Sequence, residues 1–297
     1  MLCGGTGFIG GKLCNLLKSS GYNVTIISRM PGINRMTWTD FEKSGLSDPV
    51  DAIVNLAGQN VLDPTRRWTP GFKQNVWNSR INTSTAIVKN ISAAQIKPEV
   101  FVNVSGVSNY KPHPTRVYTE EDKCDEYYDY MSKLCIEWEK AATIPKEVGV
   151  RNVKIRSGVV LGREGGMISS LILPFWFGVG GPVASGMQPL PFIHIDDLCN
   201  LIKFSIENPK VEGCLNGVAP QIITNNQFAK AFGKALFRPA LIPLPEFVVD
   251  ALFSKERSVL LTTGAKIQPK RTLETGFKYE FPDILSACKD VGTLFVQ

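Results

Sequence analysis

The chain has 297 residues, of which 43% are hydrophobic and 20% are charged, and this composition is that of a globular protein able to bury a large core. Its formal net charge of +6 comes from scattered lysines and arginines, which argues against nucleic-acid and membrane partners and leaves room for an anionic ligand. The seven cysteines form no C-x-x-C pair, so we predict no metal site and an intracellular, reducing compartment, the cytoplasm.

Three glycines near the start stand at a spacing typical of a dinucleotide-binding loop. Such a loop lets a strand turn directly into a helix, whose free N–H groups then bind a pyrophosphate. The residues predicted to contact the coenzyme here are Gly4, Thr6, Gly7, Phe8, Ile9 and Gly10. Only three residues precede Gly4, whereas a central strand normally runs about 5 to 6 residues. We therefore expect the chain to lack a few native N-terminal residues.

Strands and helices alternate over the first half of the chain. A predicted helix ends near Gly21 and is followed by strands at 24–28, 51–55, 100–104 and 153–156. Thr69 and Pro70 are a typical start for the long helix between the second and third of these strands. The strands contain few polar residues, which indicates a parallel sheet covered on both faces. The predicted fold is α/β, a Rossmann-type doubly wound parallel sheet.

The regular alternation ends after Gly162, where proline, glycine and aromatic residues become dense. We predict that residues 1–162 form the nucleotide-binding core, which also receives segments from about 190–222. Residues 163–297 would form a substrate lobe and a small, mostly helical C-terminal domain. A helix is predicted at 224–236, with Thr224 and Gln227 as its capping box.

Seven motifs in order carry a resemblance to a known family. They lie at 4–10, 55–58, 66–68, 79–80, 156–162, 192–198 and 215–220. With them the chain resembles the extended, atypical short-chain dehydrogenases/reductases, and within these the epimerase family proteins that end in a small domain of unknown function. The resemblance implies a Rossmann sheet that binds NAD(P) and acts with a small-molecule substrate.

The residues after the second strand bear on the choice of coenzyme. Enzymes that use NAD place a carboxylate there, but this chain has Ser28 and Arg29, and a guanidinium suits the 2′-phosphate of NADP(H). We therefore predict NADP(H); the alternative is a solvated loop arginine. Further predicted coenzyme contacts, some equally compatible with a surface-helix or structural role, are Leu56, Ala57, Gly58, Asn75, Arg80, Lys133, Gly158 and Val159.

The catalytic residues implied by the resemblance are incomplete. Reductases of this superfamily use a tyrosine four residues before a lysine, but Asp129 stands four residues before Lys133. Tyr130, three residues before Lys133, shares its helix face and is a candidate displaced phenol. Ser105 is the candidate to polarise a carbonyl, or else a strand-end hydroxyl bonded to local backbone. We expect a structural or inter-lobe role for His194.

Two hypotheses of function remain open at this stage. The first is an NADP(H)-dependent oxidoreductase or epimerase-like enzyme that acts on an unknown small carbonyl or sugar-like substrate. The second is a non-catalytic NADPH-binding sensor or partner-binding protein. Tyr130 divides them, because only the enzyme hypothesis needs its hydroxyl. The sequence indicates neither the substrate nor the oligomeric state.

Overall fold

The computed structural model describes residues 1–46, 49–63 and 65–292, and these contain eleven strands and eleven α-helices. The strands are β1 (Leu2–Cys3), β2 (Ile26–Ser28), β3 (Arg35–Thr37), β4 (Ala52–Asn55), β5 (Val100–Gly106), β6 (Val117–Tyr118), β7 (Arg151–Ser157), β8 (Val159–Leu161), β9 (Phe192–His194), β10 (Gly213–Gly217) and β11 (Lys266–Ile267). The helices are α1 (Phe8–Ser19), α2 (Trp38–Ser44), α3 (Pro70–Ala93), α4 (Tyr130–Ala141), α5 (Gly166–Trp176), α6 (Ile195–Glu207), α7 (Asn225–Ala235), α8 (Glu246–Phe253), α9 (Lys255–Thr262), α10 (Lys270–Glu274) and α11 (Ile284–Gly292).

A seven-stranded parallel sheet forms the centre of the molecule. Its strand order is β3-β2-β1-β4-β5-β7-β10, and every neighbouring pair is parallel. The order reverses between β1 and β4, which is where open α/β sheets bind ligands beyond the carboxyl ends of their strands. The predicted fold class, a Rossmann-type doubly wound sheet, is confirmed. The chain leaves this sheet after β7 and returns to it with β10, which pairs with β7 at the edge of the sheet.

Backbone contacts hold the glycine loop between β1 and α1 in place. Gly4 has a φ of +78°, and a Cβ there would lie 2.8 Å from the carbonyl carbon of Leu56. A Cβ on Gly10 would lie 2.2 Å from the carbonyl oxygen of Gly4. The start of α1 can therefore pack on the loop, and the loop on β4, only because these positions have no side chain.

The smaller lobe is built around a second core of aromatic and aliphatic side chains. Helix α7 packs against α11, and Phe228 and Phe232 stack with ring centroids 5.7 Å apart. The segment after Gly162, where we predict no further regular alternation, contains α5, whose first residue, Gly166, has a φ of +62°. The predicted caps of two helices are confirmed, because Thr69 accepts from the N–H of Phe72 and the Thr224–Gln227 capping box is formed.

His194, the last residue of β9 in the two-stranded β8–β9 sheet, is bonded to the C-terminal helix α11. Its Nδ1 accepts from the N–H of Asp196, so its Nε2 is the nitrogen that donates to Asp290 Oδ2, 3.1 Å away on α11. Its ring lies 3.8 Å from that of Phe281, measured between centroids. The predicted structural, inter-lobe role is confirmed.

Two properties of the described residues bear on membrane and metal partners. No helix in 1–46, 49–63 and 65–292 has both the length and the apolar character needed to cross a bilayer. No group of three or more metal-ligating side chains is assembled within the same ranges. The cytoplasmic location and the absence of nucleic-acid and membrane partners stay predictions.

A matched pair of substitutions in α1 tests the packing of the glycine loop. Gly10→Ala places a methyl group against the carbonyl of Gly4, and we expect it to cost about 1–3 kcal/mol of unfolding free energy because backbone must move. Gly11→Ala meets no atom within 4 Å and should be neutral or stabilising by up to about 1 kcal/mol. Urea unfolding measures both, and equal effects at the two positions would show that the loop is not tightly packed.

Candidate functional site

The start of α1 is built to receive an anion. Its N-cap residue, Gly7, makes no side-chain capping bond, and the first turn contains no acidic residue. The N–H groups at this end therefore face the loop with no carboxylate to compete for them. Together with the close approach that Gly4 and Gly10 allow, this cradle fits a pyrophosphate.

The two residues from which we predict the coenzyme lie at the carboxyl end of β2. Ser28 is buried, and its hydroxyl donates to the carbonyl of Met30 at 2.5 Å. Arg29 is exposed, and no ion pair or hydrogen bond of its side chain occurs within residues 1–46, 49–63 and 65–292. Its guanidinium is therefore not committed to a carboxylate of these residues.

A cavity of about 490 Å³ lies beyond the carboxyl ends of β4, β5 and β7, and we name it the sheet-edge cavity. One end adjoins α1 and the other is closed by the C-terminal segment around α9. The sequence-predicted residues that line it are Ile9, Leu56, Ala57, Gly58, Arg80, Ser105, Gly158 and Val159. The structure thus brings residues from five separate stretches of the sequence together at one place.

Arg80 lies at the wall of this cavity, beneath Gly58. One of its terminal nitrogens, Nη1, donates to the carbonyls of Gln59 and Val76, and the guanidinium stacks on Trp138 with Cζ 5.0 Å from the ring centroid. Burial lowers its pKa from the ordinary value. The contacts show Arg80 holding the loop after β4, and its cationic charge lies next to the coenzyme half of the cavity.

Several residues that were predicted to contact the coenzyme do not line the sheet-edge cavity. Thr6 is exposed on the glycine loop, and Phe8 packs against the glycines at 162–166. Asn75 is exposed on α3 and is not part of the cavity lining. Lys133 is also exposed and outside the lining, with its Nζ 6.0 Å from the ring centroid of Trp77. The structure therefore does not support ribose binding by Lys133.

Tyr130 faces α3 instead of the cavity. Its hydroxyl donates to the carbonyl of Lys73 at 2.8 Å, and its ring lies edge-on against Trp68 with centroids 5.3 Å apart. Tyr130 and Lys133 share one face of α4, as their spacing predicted, but packing against α3 turns that face away from the sheet edge. The structure therefore does not support Tyr130 as a displaced proton donor.

Tyr128, just before α4, is the tyrosine of this segment that lines the cavity. Its hydroxyl lies 2.5 Å from the carbonyl oxygen of Ser108 and 2.9 Å from that of Tyr110, so its proton is committed to backbone acceptors. Burial raises the pKa of this phenol well above its ordinary value. Both features make Tyr128 a poor general acid or base.

Ser105 reaches the cavity from the end of β5, but its proton is committed as well. The hydroxyl donates to Glu139 Oε1 at 2.8 Å. Glu139 in turn forms a bidentate ion pair with Arg156, in which both N–O distances are 2.9 Å. All three side chains are at least nine-tenths buried. Ser105 can therefore accept a hydrogen bond from a ligand, which differs from the predicted polarisation of a carbonyl.

The ion pair continues into a polar network that sequence reasoning did not find. Arg156 donates to the hydroxyl of Tyr110 at 2.9 Å, and that hydroxyl donates to Asn216 Oδ1 at 2.8 Å. Thr272 of α10 donates to the carbonyl of Asn216 at 3.0 Å. Asn109 also donates to Glu139, at 3.1 Å. The network ties the cavity floor to the C-terminal segment; Arg156 and Asn216 lay within motifs, but neither motif indicated their partners.

Arg257 holds together the two segments that line the opposite side of the cavity. It is 2% exposed, and its guanidinium donates to the carbonyls of Val61, Asp63 and Arg66 in the loop after β4 and to Phe253 on α8. Val61 and the residues after Arg257 line the cavity. The side chain therefore fastens the C-terminal segment to the nucleotide-binding core.

A substitution at Arg257 tests this closure. Arg257→Met leaves buried carbonyls without donors, and we expect a loss of about 3 kcal/mol or more in unfolding free energy, since each buried unpaired group costs about 1–3 kcal/mol. Lys255→Met, at an exposed neighbour on α9, should change it by less than about 0.5 kcal/mol. Chemical denaturation compares the two, and a mild effect of Arg257→Met would mean that water replaces the guanidinium freely.

Comparison with protein families accounts for most of the chain. The model of the "NAD dependent epimerase/dehydratase family" matches residues 1–216. The chain belongs to this family. The model described as "Domain of unknown function (DUF1731)" matches residues 244–291, which include Arg257. The resemblance predicted from the sequence is thereby confirmed.

Individual relatives extend this finding. The epimerase family protein SDR39U1 of Bos taurus is 48% identical, with 97% of each chain covered. The crystal structure of human epimerase family protein SDR39U1 (isoform2) with NADPH matches with a TM-score of 0.96 and 45% identity over 99% of each chain. The structure of MoeE5 in complex with UDP-glucose and NAD shares the fold, with a TM-score of 0.74 and 16% identity over 98% of this chain and 96% of that one. NADPH in the human structure confirms, at the level of the family, the predicted coenzyme NADP(H).

Proposed function

We propose that this chain is an NADPH-binding protein of the extended short-chain dehydrogenase/reductase type, which holds the coenzyme without a side-chain proton donor beside it. The proposal that the chain binds NADPH rests on the start of α1, which has no side-chain cap, and on the glycines that let the backbone approach a ligand. Arg29 is exposed and has no side-chain partner among the described residues, and it suits the 2′-phosphate because a guanidinium forms paired, charge-assisted hydrogen bonds with phosphate oxygens.

The residues that would hold the coenzyme follow from their positions. The loop 4–10 would bind the pyrophosphate, Ser28 and Arg29 the 2′-phosphate end, and Gly58, Gly158 and Val159 the part that enters the sheet-edge cavity. When bound, NADPH supplies a hydride at its nicotinamide ring. The protein's own contribution beside that ring is hydrogen bonding and the exclusion of water.

One observation favours binding over tyrosine-dependent carbonyl reduction. The hydroxyls of Ser105 and Tyr128 both donate to acceptors of the protein, and Tyr130 and Lys133 lie outside the cavity. Burial raises the pKa of the Cys135 thiol, which also lines the cavity, to about 12. Among the described lining residues, no uncommitted proton donor of suitable pKa is left for a reacting carbonyl.

A second candidate function, an NADP(H)-dependent oxidoreductase, has its own support. The cavity continues past Ser105 to the C-terminal segment, so it has room for a molecule beyond the coenzyme. An enzyme of this kind would transfer a hydride to a substrate that takes its proton from water or from its own structure.

Arg29→Glu tests the proposed 2′-phosphate contact. We expect the Kd for NADPH to rise at least tenfold and the Kd for NADH to change by less than about threefold, because only NADPH carries the repelled phosphate. Arg35→Glu, at an exposed arginine one strand away, is the charge-matched control. Fluorescence titration gives the constants, and similar losses for both coenzymes would exclude a specific role for Arg29.

Tyr130→Phe tests the proposed absence of a displaced phenol. Its hydroxyl bonds only the carbonyl of Lys73, so we expect unchanged NADPH affinity and a loss of about 1 kcal/mol in stability. NADPH oxidation over a panel of aldehydes and ketones should be equally slow for the variant and the parent. If the panel contains a substrate and Tyr130→Phe abolishes its reduction, Tyr130 is an acid after all and the enzyme hypothesis gains.

A further inference from the structure

The half of the sheet-edge cavity that faces the C-terminal segment has an apolar wall. It is formed by Pro189, Leu190, Val259, Leu260, Leu261 and Ala265, and we name these residues the substrate wall. Leu260 also packs into a buried cluster with Val61 and Phe72, so the wall is continuous with the interior of the protein. A surface of this kind binds by burying apolar area.

Charged groups are scarce around the same cavity. Among the described residues that line it, Arg80 and Asp129 carry the formal charges. Arg80 is stacked on Trp138 and bonded to backbone carbonyls on the coenzyme side, while the carboxylate of Asp129 caps α4 by accepting from the N–H of Ser132 at 2.6 Å. A sugar nucleotide carries a diphosphate that needs cations or free N–H groups, and burying it unpaired against this wall would be costly.

Two of the buried polar atoms in the lining can serve a ligand as acceptors. Ser105 donates its O–H hydrogen bond to Glu139, so its oxygen is left to accept. Gln188, 8% exposed and also in the lining, donates its amide N–H groups to the carbonyls of Val183 at 3.0 Å and Leu261 at 2.9 Å, and its Oε1 is buried without a partner among the described residues. A fitting molecule therefore carries an O–H or N–H group.

We infer that the second ligand of this cavity is a small, uncharged, mostly apolar molecule with a hydrogen-bond donor, and not a nucleotide sugar or a carboxylate. The inference rests on the proposed function, because it assigns the α1 end of the cavity to NADPH. The inference adds the chemical class of the ligand that binds in the other half of the cavity, which the proposed function leaves open.

A set of matched probes tests the charge and donor requirements. Equilibrium dialysis of the NADPH-loaded protein at pH 7 would compare 2-naphthol, 2-methoxynaphthalene, 2-naphthoate and UDP-glucose. We expect 2-naphthol to bind tightest, 2-methoxynaphthalene several-fold more weakly, and the two anions at least tenfold more weakly than 2-naphthol. Equal or tighter binding of 2-naphthoate or UDP-glucose would overturn the inference, and so would no binding of 2-naphthol to protein that retains NADPH.

Variants locate the binding and separate the two proposals. Leu261→Lys places a charge in the substrate wall and should weaken 2-naphthol at least tenfold without weakening 2-naphthoate. Leu285→Lys, at an exposed leucine in a separate apolar groove beside Trp176, should have no effect. Ser105→Ala should weaken 2-naphthol about three- to tenfold and leave 2-methoxynaphthalene unchanged, since only the former donates to the lost oxygen. Loss of 2-naphthol binding through Leu285→Lys contradicts the assignment, whereas failure of NADPH itself to bind contradicts the proposed function.

Discussion

The buried ion pair between Glu139 on α4 and Arg156 on β7 determines the character of the candidate site. Removing two charges from water is costly, and such a pair persists only where its remaining donors and acceptors are satisfied. Here the carboxylate also accepts from Ser105 and Asn109, and the guanidinium also donates to Tyr110. Each neighbour is thereby fixed in one hydrogen-bonding direction. The cavity floor becomes rigid, and at Ser105 it presents an acceptor where a carbonyl reductase would present a donor.

Both matched family segments are needed to form this cavity. The first supplies the glycine loop, the sheet edge, the ion pair and two residues of the substrate wall, while the second supplies the other four residues of that wall and Arg257. Among the bonds that join them are the network from Arg156 to Thr272 and the guanidinium of Arg257 on the loop after β4. These are short-range, directional bonds to backbone and buried side chains. The C-terminal domain is therefore part of the site, which explains why it accompanies the nucleotide-binding fold in this chain.

The features that the sequence could predict are those with local causes. The glycine loop, the apolar strands and the caps at Thr69 and Thr224 depend on residues a few positions apart, and each has the predicted structure. The same holds for the shared helix face of Tyr130 and Lys133. Which way that face points depends on the packing of α4 against α3 around Trp68 and Trp77, and no spacing within α4 encodes it. The role of Glu139 was not predictable for the same reason, because its partners come from β5 and β7.

Two features together limit the chemistry of the cavity: its hydroxyl groups already donate hydrogen bonds within the protein, and one wall is apolar. A site that protonates a substrate needs a donor whose proton is free to leave and whose pKa lies near that of the solution. In this cavity the candidate hydroxyls are bonded to carbonyls or to Glu139, and burial raises the pKa of Tyr128 and Cys135 further. The surfaces instead suit close, dry contact between a coenzyme and an uncharged neighbour. On this view the missing tyrosine–lysine pair is consistent with the rest of the cavity, which is organised to hold two molecules together and does not depend on exchanging protons with them.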